Sequence, residues 1–190
     1  MVQQTQIQDC SMRPSISFVH SEHDRIRSGA DGAFGLSAGY LSTRVLSAPA
    51  REVWTELFSA RWDEACSRLA EQLVRDGVDS FTLVPCSRQA VEEGLRKALC
   101  DHGLREWRGL IAKAAPDVSF AGRDLEFLVR NTRIRSGIDI GATKVAICDD
   151  YAETGRTLFG LYDVLRADPS LSHLEFVLAA VGVSESLAQG

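Results

Sequence analysis

The chain contains no C-x-x-C pair. Its five cysteines, Cys10, Cys66, Cys86, Cys100 and Cys148, are scattered and odd in number. That pattern argues against a disulfide framework or a zinc site and suits free thiols in a reducing compartment. No apolar segment follows Met1, so no secretory leader is expected. The longest late apolar run, Phe176 to Val183, falls far short of the roughly 20 residues that span a bilayer. An excess of basic charge is also missing. A net charge of −5 disfavours a general nucleic-acid surface. His20 and His23 have no third ligand at a metal-binding spacing, and read as ordinary polar residues. These absences leave a cytoplasmic protein with no membrane and no nucleic-acid partner as the expectation.

What is present is an ordinary globular balance, 45% apolar and 25% charged, over 190 residues. That length supports one well-cored domain with a small appendage. Residues 1–48 lack periodicity, and Gly29, Gly32, Gly35 and Gly39 mark them as an irregular N-terminal extension. The core is expected over 49–190. From Pro49, apolar residues recur at helical steps (Val53, Trp54, Leu57, Phe58, Trp62, Leu69, Leu73) until Gly77. Phe81 to Pro85 reads as a strand. Ser87 is a plausible cap for a helix from Arg88 to Cys100. Trp107 to Ala112 fits a strand or a helical turn equally well.

Short strands are expected over Leu125–Val129, Ile138–Ile140 and Val145–Cys148. A helix follows over Thr157–Arg166, broken by Asp168-Pro169-Ser170, and a last strand over Leu174–Val183. The alternation predicts an α/β fold, with a mainly parallel twisted sheet and flanking helices. In such sheets ligands bind beyond the carboxyl ends of the strands. The loops after Pro85 and after Asp150 leave such ends.

The second loop carries the chemistry. A short apolar strand ends in Asp149-Asp150, and Thr154-Gly155-Arg156-Thr157 leads into a helix. Carboxylates suit sugar hydroxyls or a metal-bridged ribose. A small-residue turn at a helix start suits phosphate. Rival motifs fit less well. A phosphorelay receiver places its acidic pair after an early strand. An Asp-x-Asp phosphatase fails because position 151 is Tyr. Gly137-Ile-Asp-Ile-Gly-Ala-Thr-Lys144 looks like the first phosphate motif of actin-like sugar kinases, but too little chain follows for their second lobe.

The run Asp149-Asp150-Tyr-Ala-Glu153-Thr154-Gly155-Arg156-Thr157 resembles the phosphoribosyl-pyrophosphate (PRPP) motif of the type I phosphoribosyltransferases. The resemblance covers roughly residues 65–185 and implies a transferase that moves 5-phosphoribosyl from PRPP to a nitrogen base, releasing pyrophosphate. By that resemblance Asp149 and Asp150 engage the ribose hydroxyls, directly or through Mg²⁺. Ala152, Glu153, Thr154, Gly155, Arg156 and Thr157 wrap the 5′-phosphate. Asp150 and Glu153 are the implied catalytic residues, Glu153 as acid/base toward the incoming base, although a solvated loop carboxylate explains it equally well. Cys86, Ser87 and Arg88 fall where the family places its pyrophosphate loop. Arg123, Arg130, Arg133 and Arg135 fit a basic lid between the two loops; the alternative is a solvated basic hairpin.

Tyr151 departs from the family's small aliphatic residue and would crowd or cover the ribose. The chain ends soon after its last strand, leaving Phe18, Phe34 or Tyr40 of the extension to serve as a hood. The implied partners are PRPP and a nucleobase-like molecule, with a homodimer as the common assembly. A non-catalytic PRPP- or nucleotide-binding regulator of the same fold stays open as the alternative.

Overall fold

Val145, Ala146, Ile147 and Cys148 form a run without a polar residue, and such a run suits a strand covered on both faces. The computed structural model of the chain describes residues 15–21, 48–85, 89–115, 118–120, 123–135, 141–152 and 154–183. In chain order these form β1 (Ile16–Ser21), α1 (Ala48–Arg75), β2 (Ser80–Leu83), α2 (Gln89–Asp101), β3 (Arg105–Glu106) and β4 (Ile111–Lys113). Then follow α3 (Leu125–Asn131), β5 (Thr132–Ile134), β6 (Lys144–Ala152), α4 (Arg156–Arg166), a 3-10 turn (Pro169–Leu171) and β7 (Glu175–Val183).

The main sheet has the order β1-β7-β6-β2-β3, with every neighbouring pair parallel. The apolar run therefore lies in β6, the central strand. Val145 and Ile147 pack on the α3–α4 side with Leu158, Leu161 and Leu165, whereas Ala146 and Cys148 pack on the α1–α2 side with Leu69, Leu73 and Leu99. Each such fully buried leucine contributes roughly 1.5–3 kcal/mol of transfer free energy. The expected parallel α/β architecture is the observed one.

Chain direction follows from this layering. The step from β2 through α2 to β3 runs one way across the sheet on one face. The step from β6 through α4 to β7 runs the other way on the opposite face. Both crossovers then have the same, right-handed sense. The order reverses between β2 and β6, so a crevice opens between their carboxyl ends.

Several expectations are corrected. Leu125–Val129 is not a strand but most of helix α3. Asp124 caps it, accepting from Phe127 N at 2.8 Å, and Glu126 pairs with Arg130 one turn on. A capping aspartate and an i, i+4 pair outweigh the strand tendency of Phe127 and Val129. Within the stretch expected to be irregular, Ile16–Ser21 forms an edge strand against β7. Its Ile-Ser-Phe-Val sequence is rich in strand-forming residues, and β7 offers an otherwise open edge. Trp107–Ala112 resolves into a turn followed by β4, which pairs antiparallel with β5, beyond α3, in a separate two-stranded sheet. The strand expected over Ile138–Ile140 lies outside the described residues. Among the described residues no helix is long and apolar enough to cross a membrane.

Candidate functional site

β6 continues past its apolar run and carries the acidic pair within its carboxyl end. Strand residues alternate between faces. Asp149 pairs in register with Ala180, which packs on the α3–α4 side, so the pleat sends Asp150 to the opposite face. Both residues are half-buried. Asp149 Oδ1 accepts from Asp150 N at 2.9 Å, and Asp150 Oδ1 accepts from Tyr151 N at 2.7 Å. These local bonds help orient both carboxylates at the carboxyl end of β6. Tyr151 is half-buried opposite Gly182 of β7, which has no side chain to compete for the space. Burial, and then the nearby Asp149 carboxylate, push the Cys148 thiol up. That cysteine behaves as a small hydrophobe, as its position suggested.

Beyond Ala152, which is buried, the chain turns through Thr154 and Gly155 into α4. Gly155 has φ +68°, and a Cβ there would stand 2.6 Å from Phe159 Cε2. Glycine is required on both counts. No side chain caps this helix start. Thr154 Oγ1 lies 3.5 Å from Arg156 N, a long contact. The first turn of α4 thus presents amide N–H groups and the positive end of the helix dipole, the ordinary conditions for an anion.

Thr157 Oγ1 donates to the Phe120 carbonyl at 3.1 Å. The arginine-bearing segment is therefore docked beside the turn. Its Arg123 guanidinium stacks over Phe127 at 4.7 Å and Arg130 pairs with Glu126, while Arg133 and Arg135 are exposed. Phe120 has no distinguishing mark in the sequence, because the contact is made by a backbone oxygen.

Asp149, Asp150, Ala152, Thr154, Gly155, Arg156 and Thr157 are thus brought together around one strand end. Cys86, Ser87, Arg88 and Glu153 lie outside the described residues, as does most of the extension. The donor set fits Mg²⁺. Hard carboxylate oxygens are present at Asp149 and Asp150, and among the described residues no group of three or more His, Cys, Asp or Glu side chains is gathered to hold a metal. Mg²⁺ tolerates this because it binds through one or two carboxylates and keeps several waters.

No family model and no curated protein matches the chain. Among solved structures it is similar to a purine phosphoribosyltransferase from Pyrococcus horikoshii, at 19% identity and a TM-score of 0.39, covering 65% of this chain and 82% of that one. It is also similar to the hypoxanthine phosphoribosyltransferase of Trypanosoma cruzi in complex with the product IMP. There the identity is 16% and the TM-score 0.38, with 66% of this chain and 74% of that one covered. The chain resembles the type I phosphoribosyltransferases. That resemblance is carried by the Asp149–Thr157 motif and its place at a strand end, not by the overlap of whole chains.

Proposed function

We propose that the protein is a phosphoribosyltransferase that moves a 5-phosphoribosyl group from PRPP to a nitrogen base. One observation carries the reading. The acidic pair and the Thr154–Thr157 turn share the carboxyl end of the central strand, beside the point where the strand order reverses, and lead into a helix with no side-chain cap.

In this reading the bond from the anomeric carbon to pyrophosphate breaks as a bond to the acceptor nitrogen forms, and the acceptor's proton leaves. Positive charge builds on the ribose while negative charge moves to the leaving group. Catalysis is then mostly positioning and charge stabilisation. Asp149 and Asp150 hold the ribose hydroxyls and their negative charge favours the cationic sugar. The Thr154–Thr157 turn holds the 5′-phosphate by N–H groups and hydroxyls. Glu153 takes or gives the acceptor's proton, and Cys86, Ser87 and Arg88 bind the pyrophosphate. Asp149 and Asp150 would hold a Mg²⁺ ion, which would supply charge neutralisation of the leaving group. Tyr151 lies beside the ribose and its ring narrows that side of the crevice. The expected setting is the cytoplasm, with a homodimer as the assembly.

The test is a screen of purine, pyrimidine and other nitrogen heterocycles with PRPP and Mg²⁺, read by pyrophosphate release and nucleotide formation. Turnover with any base supports the transferase. PRPP binding by calorimetry without turnover on any base replaces it with the regulator.

A further inference from the structure

We infer that Ile16 of the edge strand β1 is a positioning residue for phosphate binding, its terminal methyl holding the Gly155 turn in the shape that receives the ligand. The inference rests on the PRPP-binding reading above. It deepens that reading by giving the N-terminal strand a part in the same site.

Among the described residues, hydrogen bonding does little to fix the turn. No side chain caps α4, and Thr154 Oγ1 stands 3.5 Å from Arg156 N, too far to hold the chain firmly. Phe159 N donates to Gly155 O at 2.9 Å, which restrains the carbonyl side of the glycine and not the amides ahead of it. Packing supplies the rest. A Cβ built on Gly155 would stand 2.6 Å from Phe159 Cε2 and 3.2 Å from Ile16 Cδ1, so both side chains lie directly against the glycine. Phe159 belongs to α4 and moves with it. Ile16 belongs to another element, and its contact ties the turn to the sheet.

Ile16 is itself well anchored. It pairs in register with Leu178 of β7, and its half-buried side chain packs against the core that contains Leu158 and Leu161 of α4. A β-branched side chain is stiff at χ1, so the methyl is held in place at little cost in entropy. Binding affinity falls by the fraction of molecules whose site is not in its competent shape. Without the Ile16 methyl the turn samples other shapes, and its amides no longer converge on one point. A turn held in its bound conformation beforehand avoids that ordering cost.

Calorimetry with PRPP and Mg²⁺ on the full chain tests this. Ile16→Val removes Cδ1 alone and leaves a residue well suited to a strand. Its Kd for PRPP is expected to rise roughly 2- to 10-fold, the range to which an isoleucine-to-valine change in a core corresponds. Leu171→Ala serves as the control. It takes more packing from the same core, in the 3-10 turn just ahead of β7 and so at the opposite end of the sheet. Its urea midpoint should fall further than that of Ile16→Val, while its Kd for PRPP stays native. Native affinity in Ile16→Val overturns the inference and leaves the PRPP site standing. An equal loss of affinity in Leu171→Ala also overturns it, because the effect is then one of general loosening. A native chain that does not bind PRPP removes the proposed function and this inference with it.

Discussion

A methyl group on Gly160 of α4 would stand 2.3 Å from Leu128 Cδ1 of α3. The two helices approach this closely only because position 160 has no side chain, and Leu128, fully buried, fills the space. Gly160→Ala would ordinarily raise helix stability by up to about 1 kcal/mol. Here overpacking outweighs that gain, and a net loss of about 1–3 kcal/mol is expected. Urea unfolding measures it; a variant as stable as the native protein would falsify the packing described for α3.

At the opposite, amino end of the sheet, Asp79 joins β2 to β6. Its Oδ2 accepts from Thr143 N at 2.8 Å and from Thr143 Oγ1 at 2.5 Å. Partial burial works against its charge, but the bonds from Thr143 outweigh it and hold the carboxyl below its ordinary value. A lowered folded pKa stabilises the fold above the unfolded value of about 4, and the contribution is lost as pH falls through the folded pKa. Asp79→Asn should therefore cost about 1–2 kcal/mol at pH 7. The gap from the native protein should narrow below about pH 4. A gap independent of pH would rule out this origin.

Arg96 of α2 gathers three carboxylates, Glu92 at 2.5 Å, Glu93 at 2.6 Å and Glu106 of β3 at 2.8 Å. Its side chain is only 16% exposed, so the clasp between α2 and β3 is partly shielded from water. Removing it leaves the partly buried Glu92 and Glu106 carboxylates without their shared cation. Arg96→Ala is expected to lose about 2–3 kcal/mol. Lysine at this position should recover little, since an ammonium cannot reproduce the guanidinium fork. Thermal melts of both variants decide this, and full recovery by lysine would count against the fork.

Gly155→Ala should separate folding from ligand binding. Its left-handed backbone costs about 1–2 kcal/mol for any residue with a Cβ. The added carbon also meets Phe159 at 2.6 Å, directly under the turn. Calorimetric affinity for PRPP is expected to fall at least tenfold, with circular dichroism unchanged. Undiminished affinity would remove the turn from the binding site.

Asp150→Asn keeps the shape of the side chain and removes its charge. Turnover should drop by about 10²-fold or more, as for loss of one charge partner in a preorganised site. Stability in urea should stay near that of the native protein. Retained activity refutes the role given to Asp150.

Local chemistry makes much of this legible in the sequence. The Val145–Cys148 run reads as a short strand, Gly77 and Pro169 mark chain breaks, and Thr154-Gly155 implies a turn at a helix start. These features depend on neighbours in sequence, which is why they read correctly. The α3 region failed for the complementary reason. Its apolar Phe127, Leu128 and Val129 favour a strand locally, and only the Asp124 cap with the Gly160 recess makes helix the better packing.

The sequence by itself determined the composition of the cradle: two acidic residues, a threonine–glycine turn and a helix, at fixed spacing along one strand. Tertiary structure alone decided that this strand is central, that the strand order reverses beside it, and that Phe120 lies within reach of Thr157. Spacing along a chain is set by covalent geometry. Which distant backbone oxygen meets a given hydroxyl is set by how two buried faces pack, and no local pattern encodes that.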